Sequence, residues 1–503
     1  VAGCKNELYT AIQNSLQGIV VHLSGEVAPY FKLGGLGDIL QSLPAAIDHN
    51  GYLNITICPY YSVLNGEPMK FDEDQINYER RVYHYEVYLQ SNHGIYNLFV
   101  KIKDSWRLDE IYMSGTEVYD SEVRLSHFLF GKIAAKIISS LPYSSCTIMT
   151  HDWHVAAVYP HLKRMRHQAV YNKFHIIHNY QHQGAIKEDL IYLAEEEIQV
   201  DYLIVLNKYG HCSFSALAIN QADSVITVSP TYARELMEEK APHPNLNVLR
   251  GIHLHGFLNG YANHIWSPMS DEFIVCPYDI NSIEHKAINK KWLINELDLS
   301  IEEDRPIMLF LGRLSPQKGI DLFLGNHDNS ADIRKLLELG AAVIICGTPT
   351  EAAVDLRFSQ LTETMNGNFR YINYYTEEIA HRFLAGSDLL LHPSQFEPCG
   401  LTQLYAMAYG TIPIVNPVGG LRDTVICERD NPGMGNGIWM ESYSWYGLLD
   451  AVTTAISYYD DSSRWLALVR RAMSRNYDWD TAIHPYLTLI NDCQRGERDE
   501  FSR

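Results

Sequence analysis

The sequence predicts an α/β protein of two tandem domains, each built on a parallel sheet. Three observations carry that prediction. Short runs of continuous apolar residues alternate with helical-looking segments, the series restarts after a stretch rich in Gly, Asn, Pro and Ser, and 503 residues at 46% hydrophobic exceed what one core usually supports.

The first series comprises 18–24 (GIVVHLS), 54–59 (NITICP), 147–150 (TIMT), 174–178 (FHIIH) and 224–229 (SVITVS). A strand that is apolar at successive rather than alternate positions is covered on both faces, as in a parallel sheet flanked by helices. The second series comprises 307–311 (IMLFL), 341–346 (AAVIIC), 369–372 (FRYI), 388–392 (DLLLH) and 411–415 (TIPIV). Between them, 256–271 (GFLNGYANHIWSPMSD) reads as the hinge, giving domains 1–260 and 261–476. The last stretch, 477–503, holds an apolar helix-like segment and then a charged tail. No repeat of solenoid period and no low-complexity block is found.

Charge narrows the function. Forty Lys and Arg stand against 60 Asp and Glu, a net −20, which argues against nucleic acid and anionic membrane as partners, because both require a basic face. An anionic ligand therefore needs its own local cations. The nine cysteines are scattered singly, as in a reducing compartment. No run approaches the roughly 18 apolar residues of a membrane span, so a soluble, cytoplasmic protein is expected.

Chemistry-bearing residues follow the apolar runs. After the first come Lys32, Gly34, Gly35 and Asp38 in a strand-to-helix turn. It reads either as a phosphate loop, with backbone N–H groups, a helix N-terminus and a lysine, or as a tight turn with a solvated lysine. Arg313 and Lys318 leave the end of the run 307–311, where two cations could hold a diphosphate or stand as unrelated surface charges. Glu397 follows the run 388–392, and Cys399, Gly400, Leu401 and Thr402 open the next helix. There the glutamate could bind sugar hydroxyls while helix N–H groups hold phosphate oxygens, or it could merely cap the helix. The segment 416–425 (NPVGGLRDTV) adds a glycine pair at a strand end. Asp152, within His151-Asp152-Trp153-His154, and His178 each follow an apolar run, placed to hydrogen-bond sugar hydroxyls or to satisfy the sheet end. No fourth-ligand pattern accompanies these histidines, so no metal site is expected.

Eight of these stretches resemble, in the same order, the bacterial glycogen synthase and plant starch synthase family: SGEVAPYFKLGGLGD, THDWH, HNYQHQG, ADSVITVSPTYARE, FLNGYANHIWSP, KAINKKWL, GRLSPQKGIDL and FEPCGLTQLYAMAYGTIPIV. The resemblance implies a GT-B fold of two Rossmann-like domains with a deep cleft between them, the C-terminal helix returning to the first. The donor nucleotide is expected on the second domain and the glucan on the first. It places Lys32 on donor phosphate or sugar with Asp38 nearby, Arg313 and Lys318 on the diphosphate, and Glu397 on donor glucose hydroxyls with Cys399 lining the site. Asp152, His178 and Asn259 fall near the transferred glucose or the acceptor. Many related transferases carry a second glutamate where this chain and the synthases have tyrosine, here Tyr405, which is expected to stack on the nucleoside or contact ribose.

The implied reaction is retaining transfer of glucose from ADP-glucose or UDP-glucose to the non-reducing end of an α-1,4-glucan, with no cofactor and no metal. The alternatives are a paralogue that binds glucan or nucleotide with little turnover, and a transferase with another acceptor. Three departures from the family pattern stand out: Tyr261-Ala262 after the interdomain Asn-Gly, the turn Gly347-Thr348-Pro349, and a short segment 60–121 where acceptor surface is expected.

Overall fold

The computed structural model describes residues 2–78, 81–92, 94–103, 117–118, 121–165, 169–187, 196–324, 333–365 and 367–495. The chain divides into two compact units, Val1–Gly260 with Trp479–Arg503, and Tyr261–Asp478.

In unit 1 the strands are β1 (Ile19–Leu23), β2 (Leu53–Pro59), β3 (Met69–Tyr78), β4 (Arg81–Asn92), β5 (Ile95–Ile102), β6 (Glu117–Val118), β7 (Ser145–His151), β8 (Val170–Ile177), β9 (Ala185–Ile186), β10 (Cys212–Ser213), β11 (Ser224–Thr227) and β12 (Leu254–Gly256). Nine of them form one sheet in the order β12-β11-β8-β7-β1-β2-β5-β4-β3, and β10-β9-β6 form a small second one. From β12 to β5 every neighbouring pair is parallel. The edge β5-β4-β3 is antiparallel.

Unit 2 holds β13 (Ile307–Leu311), β14 (Ala342–Cys346), β15 (Phe369–Ile372), β16 (Leu389–His392), β17 (Ile412–Val415) and β18 (Ile438–Trp439), ordered β15-β14-β13-β16-β17-β18 and parallel throughout. Successive residues of one strand serve opposite cores. Met308 and Phe310 pack with Val343, Ile345, Leu389 and Leu391, whereas Ile307, Leu309 and Leu311 pack with Ala342, Ile344, Cys346 and Leu390. That two-sided burial is why these strands read as unbroken apolar runs.

Strand order reverses at β1, flanked by β2 and β7, and at β13, flanked by β14 and β16. The loops leaving such neighbouring strands run in opposite directions and open a crevice at the carboxyl ends. All the catalytic candidates leave strands at these two places or next to them.

The described part of 60–121 is ordered differently from the rest. Strand β4 alternates exposed and buried residues, with Tyr83, Tyr85, Val87 and Leu89 facing the core. Its polar alternate positions hid it among apolar-run criteria. Residues 79–80, 93, 104–116 and 119–120 lie outside the described residues.

The chain leaves unit 1 after Gly260 and re-enters it after Asp478, two residues later than the sequence placed the crossing. Tyr477 and Asp478 stay in unit 2 because they pair with Tyr261, whose N–H donates to the Tyr477 carbonyl at 3.0 Å. The helix His484–Arg495 belongs to unit 1, where Tyr52 Oη donates to Asn491 Oδ1 at 2.7 Å. The charged tail 496–503 lies outside the described residues.

A partly buried lysine, its pKa pushed down to about 7 by desolvation, links several elements of unit 2. Lys286 Nζ, at the start of the helix Lys286–Glu296, donates to the carbonyls of Leu384 (3.0 Å), Ala385 (2.9 Å) and Tyr409 (3.0 Å) and to Thr411 Oγ1 (3.0 Å). Leu384 and Ala385 lie in the last turn of the helix Glu377–Gly386, whose carbonyls have no partner within the helix. Lys286→Met removes the donor to Ala385, while Leu384 and Tyr409 keep Thr411 Oγ1 and Tyr278 Oη, and it is expected to lower unfolding free energy by about 1–3 kcal/mol, read by chemical unfolding. An unchanged midpoint would show that the ammonium caps nothing of value.

Candidate functional site

In unit 2 the loop after β13 lies directly on the loop after β16. Gly319 makes this possible: its φ is +79°, and a Cβ there would fall 2.0 Å from the Pro393 carbonyl oxygen. Gln395 N–H donates to the Gln317 carbonyl at 2.9 Å and closes the contact. Lys318 Nζ thereby reaches Glu397 Oε2 at 2.5 Å. The same oxygen accepts from Ser394 Oγ at 3.0 Å and His392 Nε2 at 3.2 Å.

Glu397 is 5% exposed. Burial pushes its carboxyl up, but Lys318 and His392 outweigh burial and hold it well below the usual carboxylate range. Burial keeps His392 below its ordinary value despite the carboxylate beside it. A buried acid without such partners would cost several kcal/mol or take up a proton. Lys318 and Glu397, expected on different parts of a donor, are thus paired to each other. Arg313, on the same loop, is exposed and donates from Nη2 to Gln317 Oε1 at 3.4 Å. The Thr348 carbonyl accepts from Leu314 N–H at 2.9 Å, which ties the Gly347-Thr348-Pro349 turn to this loop.

The turn carrying Cys399 and Gly400 is clamped from behind. Gly420 N–H donates to the Glu397 carbonyl at 3.0 Å, and a Cβ on Gly420 would lie 2.2 Å from the Cys399 carbonyl oxygen. Gln403 Nε2 donates to the carbonyls of Cys399 (3.1 Å) and Gly400 (3.0 Å). Leu401 caps the helix Thr402–Ala408, so Thr402 opens it. Cys399 is buried. Tyr405 is only 7% exposed, its ring flat against Trp266 at a centroid distance of 3.8 Å and an angle of 4°. Trp266 thus covers one face of the Tyr405 ring.

In unit 1, Lys32 pairs with Asp38 at 2.8 Å, just before and just inside the helix Gly35–His49. Two of the turn's N–H groups are engaged: those of Leu33 and Gly34 donate to Glu26 Oε2 at 2.6 and 3.0 Å. A buried carboxylate of the same loop thus takes the Gly34 N–H, one of the donors a phosphate loop would offer. Glu26 lies within the quoted SGEVAPY stretch, yet nothing in the spacing marks it as the loop's internal anion.

Asp152 follows β7 with a positive φ of 58°, unusual for a residue with a side chain. Its Oδ1 accepts from the N–H groups of His178 (2.7 Å) and Asn179 (3.2 Å) at the end of β8. Burial lifts its pKa to about 7, the two backbone bonds opposing and Glu26 adding to the rise. His178 Nε2 meets His151 Nδ1 at 2.9 Å, and His151 Nε2 meets His22 Nδ1 at 3.1 Å. Asn259, after β12, is buried with Oδ1 lacking a partner among the described residues.

The two sites differ in electrostatic sense. That of unit 2 sets Arg313 and Lys318 against one carboxylate, whereas that of unit 1 sets Lys32 against Glu26, Asp38 and Asp152. An anion is favoured at the first and a neutral hydroxyl-bearing ligand at the second. Among the described residues, no group of three or more His, Cys, Asp or Glu side chains could hold a metal ion. None of the helices searched there is long and apolar enough to cross a membrane.

Residues 19–259 match the family described as starch synthase catalytic domain, and residues 295–467 match glycosyl transferases group 1. The chain is 30% identical over 497 residues to a glycogen synthase of Anoxybacillus flavithermus, covering 95% of this chain and 98% of that one. It is 32% identical over 484 residues to a glycogen synthase of Bacillus anthracis, covering 92% and 97%. Among solved structures it resembles the catalytic domain of starch synthase IV from Arabidopsis thaliana bound to ADP and acarbose, with a TM-score of 0.83, 27% identity, and coverage of 94% and 99%. A sucrose-phosphate synthase from Thermosynechococcus elongatus, at TM-score 0.58 and 15% identity, covered at 95% and 100%, shares the fold.

Asp152 generates a stability prediction with a definite sign. Between pH 4 and 7 the folded chain holds a proton that the unfolded chain has released, so this residue's contribution to stability falls as pH rises through that window. Asp152→Asn keeps the acceptor oxygen and removes the buried charge, and it is expected to raise Tm by about 2–4 °C at pH 8. The gain should shrink toward pH 5, as read by scanning calorimetry at both values. A lower Tm at pH 8 would show that the carboxylate is stabilised there.

Proposed function

We propose a reaction for this chain from one premise: it belongs to the glycogen synthase family. It is a hexosyltransferase of the GT-B fold class. We infer that it moves glucose from ADP-glucose, in preference to UDP-glucose, to the non-reducing end of an α-1,4-glucan with retention at the anomeric carbon. The preference for the adenine nucleotide follows the ADP-glucose habit of bacterial and plant members of the family.

The observation that carries this reading is the Lys318–Glu397 pair with Arg313 on the same loop. In this proposal Lys318 and Arg313 hold the diphosphate and neutralise the charge that grows on it as the C1–O bond lengthens. Two fixed cations and the adjacent helix end supply what a metal supplies elsewhere, so no metal is called for. Glu397, kept ionised, accepts from donor glucose hydroxyls through the lone pairs its neighbours leave open. The acceptor 4-hydroxyl attacks the anomeric carbon from the face that the diphosphate vacates, and its proton passes to the departing phosphate oxygen. Asp152 and His178 hold sugar hydroxyls, and Asn259 offers a buried acceptor to another.

Purified protein incubated with each nucleotide-glucose, with and without glycogen, provides the test. Nucleotide release that depends on glycogen and is faster from ADP-glucose is expected. Release without glycogen would point to another acceptor, and none from either donor to a binding paralogue. Lys318→Ala and Glu397→Ala are each expected to cut transfer by at least about 100-fold, roughly 2.7 kcal/mol of barrier, with calorimetry confirming a folded chain. Wild-type rates in either variant would refute the assignment.

A further inference from the structure

Four side chains from neighbouring strands of unit 1 form one hydrogen-bonded row. Asn54 lies on β2, His22 on β1, His151 on β7, and His178 follows β8, and these strands are neighbours in the sheet. The contacts are Asn54 Oδ1 to His22 Nε2 at 3.1 Å, His22 Nδ1 to His151 Nε2 at 3.1 Å, and His151 Nδ1 to His178 Nε2 at 2.9 Å. Ring centroids are 5.4 and 5.2 Å apart with tilts of 26° and 28°, the spacing of rings meeting through their nitrogens rather than face on face. Asn54, His22 and His151 are fully buried. The row ends at His178, which is partly exposed.

The row has a direction, set at its far end. Asn54 Nδ2 donates to the Tyr52 carbonyl at 2.9 Å. Flipping the amide would set two oxygens against each other, so Oδ1 must face His22. An amide oxygen only accepts, hence His22 carries its proton on Nε2 and leaves Nδ1 bare. His151 must then donate from Nε2 and leave its own Nδ1 bare, and His178 must donate from Nε2. Burial holds His22 near pKa 4 and His178 near 3, and drives His151 well below its ordinary value, so each ring is neutral near pH 7 and carries one proton.

We propose that Asn54 fixes, through His22 and His151, the tautomer of His178 in which Nδ1 is unprotonated and accepts a hydrogen bond from a ligand hydroxyl. Asn54, His22 and His151 are positioning residues. His178 in this state accepts a hydrogen bond at Nδ1 from a hydroxyl and holds its single proton on Nε2 against His151, which suits it to orienting a sugar rather than to acid catalysis. Naming the ligand as a sugar rests on the function proposed above; the tautomer does not.

The test uses the full chain without ligand, labelled with 15N-histidine, in long-range 1H–15N correlation spectra at pH 7.5. The His178 signals are assigned by their loss in His178→Gln. A bare Nδ1 and a protonated Nε2 are expected. In His22→Leu the row is cut, and His178 should become a mixture of both tautomers. His22→Gln can donate to Asn54 and accept from His151, so it should restore the single tautomer. Protonated Nδ1 in the wild type, or an unchanged His178 in a folded His22→Leu chain, would overturn the proposal. Should His22→Leu not fold, the wild-type spectrum and His22→Gln decide it. Failure of glucosyl transfer would leave these spectra unaffected, which separates this inference from the reaction.

Discussion

A strand buried on both faces has no side on which to carry an unpaired polar group, and that constraint shapes both units. Along β13 and β14 successive side chains feed two separate cores, so charge and hydroxyls gather where the strands stop. The order reversals at β1 and β13 then decide which strand ends can share a ligand. Where polar residues do enter the sheet, as with His22 and Asn54 on the paired strands β1 and β2, they can bond across the strands.

The two sites resolve the cost of buried charge in opposite ways. Glu397 is ionised because Lys318, Ser394 and His392 converge on a single oxygen, a local solution that leaves the rest of the loop free to present Arg313. Asp152 has backbone N–H groups for partners and a strained φ, so it is held near its point of neutralisation. Strain and a raised carboxyl at the mouth of a sheet are what a binding site retains at the expense of stability. The partly buried Lys286, by contrast, directs its hydrogens to backbone carbonyls at helix ends.

Much of this was legible in the chain. Continuous apolar runs announced strands on the inner part of both sheets because two-sided burial leaves no polar alternate. The edge formed by β3, β4 and β5 was not legible by that criterion, since half of β4 faces outward. Lys318 and Glu397 were found from their motifs, but their mutual pairing was not, because it depends on Gly319 letting one loop lie on another. Glu26, His22, His151 and His392 were missed as functional partners. His22 and His151 meet from different strands 129 positions apart, which no local spacing reports, whereas Glu26 and His392 bond within their own segments, to Leu33, Gly34 and Glu397, through turn geometry that the spacing does not reveal. Tyr405 shows the converse: position alone suggested a stacking surface, and only packing reveals Trp266 on its face.

In the proposed reaction a nucleotide diphosphate binds at Lys318 and Arg313, around the Glu397 carboxylate. A crystal structure of the complex with ADP is the decisive measurement. The β-phosphate is expected within hydrogen-bond reach of Lys318 and Arg313, with Glu397 beside it. Nucleotide bound elsewhere, with neither cation touching phosphate, would contradict it.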